Sequence, residues 1–134
     1  MFMHKSLFVI YFLFMFAALT GCGLEQKSFS EFYEGNLSDV SKIVIADGNT
    51  GYKKTVKSEN QIEELLDQIK NVEFIPDENQ EQRDGFNYAI TLFEGEERTF
   101  QFGLTQVNDH YYHTKPDLYP IVNKFYQELK VKEE

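Results

Sequence analysis

Phe86-Asn87-Tyr88-Ala89-Ile90-Thr91-Leu92 and, after a short break, Arg98-Thr99-Phe100-Gln101-Phe102-Gly103-Leu104 form the stretch that decides the fold. Phe86, Tyr88, Ile90 and Leu92 recur at every second position, and so do Phe100, Phe102 and Leu104. A period of two is the signature of a strand with one buried face. Glu94-Gly95-Glu96 between the runs predicts a hairpin. Face parity then constrains the turn. A two-residue turn at Glu94-Gly95 sets Thr91 opposite Arg98 and puts the apolar sets on opposite faces. A three-residue loop pairs Leu92 with Arg98, Ile90 with Phe100, Tyr88 with Phe102 and Phe86 with Leu104, which gathers the bulky residues on one face. The other face, with Asn87, Ala89, Thr91, Thr99, Gln101 and Gly103, reads as solvated.

Upstream, the β-branched run Ile43-Val44-Ile45, the turn residues Asp47 to Gly51 and the alternating Tyr52 to Val56 predict a second hairpin. Ser58 with Gln61 three residues on is a capping box ahead of Ile62, Leu65, Leu66 and Ile69, the apolar stripe of a helix. Val72 to Ile75 is a short candidate strand that Pro76 ends. Downstream, Asn108-Asp109 makes a turn and His110 to His113 returns as a strand. Asp117 caps a last helix with Pro120 in its first turn, and Leu118, Ile121, Val122, Phe125 and Leu129 form its apolar stripe. The order ββα(β)βββα predicts an α+β domain over residues 40–134. It would have a single antiparallel sheet of about five to six strands, with two helices packed on one face.

Residues 22–39 are polar and read as a tether. Within it Phe29, Phe32 and Tyr33 share one side of a helical turn, which should dock on the domain before Gly35. Ahead of the tether, Leu7 to Leu19 is apolar save for Tyr11, the length of a signal-peptide core and short for a bilayer span. Lys5 is the one charged residue among residues 1–21. Of 13 Lys+Arg and 22 Asp+Glu, the remainder therefore keeps 12 and 22, a balance of −10. Such a surface repels nucleic acid and anionic lipid, and attracts cations or a basic protein. Cys22 is the sole cysteine, so the fold must stand on packing without a disulfide.

Several residues invite a chemical reading. Asp77, Asn79 and Glu81 take positions 1, 3 and 5 of a calcium loop that also holds Asp84, but Gln82 stands where the sharp-turn glycine belongs and Tyr88 where the bidentate glutamate belongs. A solvated loop is the expectation. His110 and His113, three apart on a strand, point to opposite faces and cannot share one metal there. No nucleophile elbow or glycine-rich phosphate loop is present. Tyr88, Tyr111, Tyr112, Tyr119 and Tyr126 could line a peptide or glycan groove, with core and rim packing the expected role. No catalytic residue, metal or cofactor is expected.

Leu19-Thr20-Gly21-Cys22 resembles the lipobox of bacterial lipoproteins: an aliphatic residue, a small one, Gly or Ala, then Cys. The resemblance implies a signal peptide over residues 1–21, diacylglycerol on the Cys22 thiol, cleavage before Cys22 and a place on the outer face of the cell membrane. The Ile43-Val44-Ile45 hairpin with Asp47-Gly48, the helix at Ser58 and Asp117-Leu118-Tyr119-Pro120-Ile121-Val122 together resemble small Gram-positive lipoproteins that have no assigned activity. The function expected is a non-catalytic binding or interaction module, in an accessory, inhibitor or immunity role toward an envelope protein. The alternatives are an envelope enzyme, or a cation-binding lipoprotein using the 77–84 loop.

Overall fold

The computed structural model describes residues 24–134. The expected signal peptide and Cys22 lie outside the described residues. In chain order come β1 (Lys27–Ser28), α1 (Phe29–Phe32), a 3-10 turn (Leu37–Asp39), β2 (Lys42–Asp47), β3 (Lys53–Val56) and α2 (Glu59–Ile69). Then follow β4 (Glu73–Pro76), β5 (Tyr88–Glu94), β6 (Glu97–Gly103), β7 (Gln106–Val107), β8 (His110–Lys115) and α3 (Leu118–Glu128).

The strands do not form the single sheet of five to six expected. They form two four-stranded antiparallel sheets, β1-β4-β8-β7 and β3-β2-β5-β6, and the described residues hold three helices, not two. The physical reason is a bend. The chain leaves β6 at Gly103, turns through Leu104-Thr105, and β8 then pairs with β4 and β7 instead of extending the β5–β6 ladder. Asn108 and Asp109, at φ of 50° and 67°, make the two-residue turn between β7 and β8, a conformation their side chains tolerate. The segment expected as a tether supplies the remaining strand, because Lys27 and Ser28 pair with Phe74 and Glu73.

The β5–β6 hairpin keeps the expected parity by a different device. Glu94 pairs with Glu97 across a two-residue turn, and a bulge at Thr99 then restores the phase, so that Leu92 faces Phe100 and Ile90 faces Phe102. The expected partners are thus each displaced by two residues, yet all stay on one face. Phe86 is a correction. Its carbonyl occupies the space a Cβ on Gly48 would need, and the strand begins only at Tyr88, which leaves Phe86 exposed.

One contiguous core joins both sheets. An aromatic chain crosses between them: Phe29 meets Phe102 at 4.9 Å between centroids, Phe102 meets Phe74 at 6.4 Å, and Phe74 meets Tyr112 at 6.0 Å. Edge-to-face and tilted pairs of this kind add about 0.5–1.5 kcal/mol each beyond the area they bury. α2 buries Ile62, Leu65, Leu66 and Ile69 as the periodicity predicts, although the Ser58 side chain makes no cap hydrogen bond. α3 starts where Asp117 accepts from the Tyr119 N–H, and it buries Leu118, Val122, Phe125 and Tyr126.

Candidate functional site

Three places among the described residues combine polar side chains or an open surface in ways that bear on function. The first is the loop after β4. Its backbone continues the sheet for one more residue, with the Asp77 N–H donating to the Tyr111 carbonyl at 3.0 Å. The Gln80 side chain then acts like a strand residue, donating to the Tyr111 carbonyl at 2.9 Å and accepting from the Tyr111 N–H at 2.9 Å. Arg83 is fixed from two sides, its N–H on the Tyr111 hydroxyl at 2.8 Å and its guanidinium 4.5 Å over the Tyr111 ring.

This loop delivers Asp77 to His113. Imidazole Nδ1 lies 2.8 Å from Asp77 Oδ1, and Arg83 donates to Oδ2 at 3.1 Å. Burial pushes the Asp77 carboxyl up, but the hydrogen bonds and charges of His113 and Arg83 outweigh it and hold the carboxyl below the usual carboxylate range. An Asp–His pair can orient an imidazole as a base. Among the described residues no hydroxyl or thiol is hydrogen-bonded to His113. His113 and Arg83 are also largely exposed, and exposed pairs contribute about 0.2–1 kcal/mol.

The expected metal candidates are therefore dispersed. Asp77 is engaged by the His113 and Arg83 side chains, and Asn79 Oδ1 accepts from the Glu81 N–H. Glu81 and Asp84 are exposed. His113 faces this loop with Tyr111, while His110 lies near Leu24, Phe32 and Tyr112 on the other side of β8. Among the described residues no group of three or more His, Cys, Asp or Glu side chains is placed to hold a metal ion. Tyr88, Tyr111, Tyr112 and Tyr126 are buried as packing residues, and Tyr119 alone of the five is exposed.

The second place is Lys54, 7 % exposed, whose Nζ donates to the Tyr126 carbonyl at 2.7 Å and the Leu129 carbonyl at 3.0 Å. It gives the Leu129 carbonyl a donor, adds a second donor to the Tyr126 carbonyl beside the Leu129 N–H, and stacks 4.4 Å over the Tyr126 ring. Strand parity could have exposed this lysine, since it shares a face with Val56 and pairs with Ile45, both buried. Arg83 and Gln80 carried no such signal, because they act from an irregular loop.

The third place is a groove between the 3-10 turn and α2, with a volume of about 360 Å³. Leu37, Val40, Ile62 and Leu66 form its floor, and Ser38, Glu59, Glu63, Asp67 and Lys70 stand around it. No family, no curated protein and no solved structure matches this chain.

Proposed function

We propose that the chain is a lipid-anchored lipoprotein on the outer face of the cell membrane, acting there as a non-catalytic interaction module. The anchor rests on Leu19-Thr20-Gly21-Cys22, and one structural observation carries the rest: β1 begins at Lys27. Four residues, 23–26, separate Cys22 from the folded body. An extended chain covers at most about 3.6 Å per residue, so lipid on Cys22 holds β1 within about 18 Å of its attachment point. A body tethered this closely works at the membrane surface and meets its partners there.

The polar features favour interaction over chemistry. The Asp77 carboxylate is bound by His113 and Arg83, and the Asn79 side-chain oxygen accepts from the Glu81 N–H. Among the described residues a groove of about 360 Å³ between the 3-10 turn and α2 is one of several surface concavities, a shape that suits contact with a partner. Photo-cross-linking in intact cells tests this role, with a photoreactive residue placed in turn at several exposed positions of the full chain. A discrete adduct with an envelope protein is expected from at least one position. Adducts from none would contradict the interaction role.

A further inference from the structure

Asp-Gly occurs twice in the chain, as Asp47-Gly48 and Asp84-Gly85, and the fold treats the two steps in opposite ways. Asp47 closes β2 and is 8 % exposed. Its Oδ1 accepts from the Asn49 N–H at 2.9 Å, and its carbonyl accepts from the Gly51 N–H at 2.8 Å. The Gly48 N–H donates to the Asn87 carbonyl at 2.8 Å, and the Phe86 carbonyl fills the space beside Gly48. Asp84-Gly85 is held by none of this. Both residues are exposed, and among the described residues neither makes a hydrogen bond or an ion pair. Gly85 adopts a φ of 82°, with no atom within 4 Å of where a side chain would begin. The chain is pinned on either side, at Arg83 by the Tyr111 hydroxyl and at Asn87 by Gly48. Residues 84–86 therefore form a short free span between two fixed points.

We propose that Asp84-Gly85 is a site of spontaneous covalent modification, where the chain converts through a cyclic imide to an isoaspartyl linkage. The Gly85 nitrogen attacks Cγ of the Asp84 carboxylic acid. A new N–C bond forms, and the N–H proton leaves with the acid's hydroxyl as water. Water then opens the ring. Cleavage of the new bond to Cγ restores aspartate. Cleavage of the original bond to the main-chain carbonyl carbon leaves the chain running through Cγ, one methylene longer, with the α-carboxylate free. No oxidant, cofactor or enzyme enters the balance. The reaction needs a glycine nitrogen with no side chain beside it, an amide proton not committed elsewhere, and a carboxyl free to swing over its own backbone. Asp84-Gly85 meets all three. At Asp47-Gly48 ring closure would remove the donor to Asn87 and pull the carboxylate from the Asn49 N–H, so reaction there waits for local opening. The product keeps its charge, so its effect is geometric. The extra methylene lies next to Arg83, whose backbone rests on Tyr111 and whose guanidinium holds Asp77. This chemistry needs neither the anchor nor a partner, and its outcome leaves the interaction role untouched.

The full chain in detergent micelles is held at neutral pH in water enriched in heavy oxygen. It is then cut after lysine in ordinary water, which places Asp47 and Asp84 on different peptides for mass spectrometry. Each ring opening inserts one heavy oxygen at the aspartyl residue, whichever linkage results, and the isoaspartyl peptide elutes apart from the aspartyl one. Label is expected at Asp84 at least about tenfold faster than at Asp47, which reacts only from opened states. In urea, where both steps are freed, the two rates should converge. Asp84→Glu, which would have to close a larger ring, should remove the label at position 84. Asp84→Asn should reach the same imide by losing ammonia and give the same isoaspartyl product. A native chain with neither label nor isoaspartate at Asp84 would overturn the proposal. Equal labelling of Asp47 and Asp84 in the native chain, or a difference that persists in urea, would overturn selection by the fold. Label retained at position 84 in Asp84→Glu would mean that oxygen entered by another route, and would overturn the imide.

Discussion

Phe29 packs against Phe102 with ring centroids 4.9 Å apart and planes tilted by 48°. Phe29 follows β1 directly, only a few residues after Cys22, and it is fully buried. The segment next to the proposed anchor is therefore part of the core and braces β6 at the junction of the two sheets. Replacing it should behave as a core truncation. Phe29→Ala is expected to cost about 3–5 kcal/mol. Gln101→Ala, on the exposed face of β6, should change stability by less than about 0.5 kcal/mol. Urea midpoints of the two variants check this, and comparable losses would contradict it.

Lys54 gives a second expectation. Its ammonium serves the Tyr126 and Leu129 carbonyls at the end of α3, and among the described residues no carboxylate pairs with it. Lys54→Met keeps most of the aliphatic volume and removes the ammonium, both the donor and the cation over the Tyr126 ring. Loss of the ammonium leaves the Leu129 carbonyl without this donor and the Tyr126 carbonyl with the Leu129 N–H alone, and should destabilise the fold by about 1–3 kcal/mol. The loss should appear first as faster amide exchange at the C-terminal end of α3. Unchanged protection of Phe125 to Leu129 would contradict the capping role.

Acid sensitivity should be traceable to Asp77. Burial raises its carboxyl, and the stronger influence of His113 and Arg83 brings the net value below the usual range. A folded value below the unfolded one stabilises the fold at pH above the unfolded value, about 3.9. That contribution disappears as the pH falls through the lower folded value. Asp77→Asn should therefore be less stable than wild type near pH 6, and the gap should close on acidification below about pH 4. Paired urea melts from pH 6 to pH 3 measure it. A gap that widens on acidification would reverse the sign.

Much of this architecture could be read from residue order, and what could not has identifiable causes. Local pattern located β2 by its β-branched run, and β3, α2, β5, β6 and α3 by the period of their apolar residues. Pairing across long sequence separations was not legible. Nothing in Glu73–Pro76 indicates that it joins β8 and β1 in a separate sheet, since a four-residue strand has too few positions to name its neighbour. The bulge at Thr99 was hidden for another reason. Parity requires a phase correction somewhere in the hairpin, but a longer loop and a bulge correct it equally well. The structure chose the bulge, where the Thr99 hydroxyl meets Tyr33 at 2.8 Å and the Leu92 carbonyl at 3.2 Å. At the candidate groove, α2's apolar stripe and acidic face were both readable. The return of Leu37 and Val40 alongside them depends on the docking of α1 and was not.

The central claim is the anchor, and Cys22 tests it most directly. Transfer of lipid requires a thiolate nucleophile, for which serine is a poor substitute. Stable attachment also needs more than one acyl chain, which diacylglycerol provides. Cells expressing the full chain or its Cys22→Ser variant would be labelled with radioactive palmitate and extracted with Triton X-114. The wild-type chain is expected to take up label and to partition into the detergent phase. The variant is expected to take up none, and either to keep its signal peptide or to be shed after ordinary cleavage. A Cys22→Ser chain that still incorporates palmitate and matures to the same size would contradict the account.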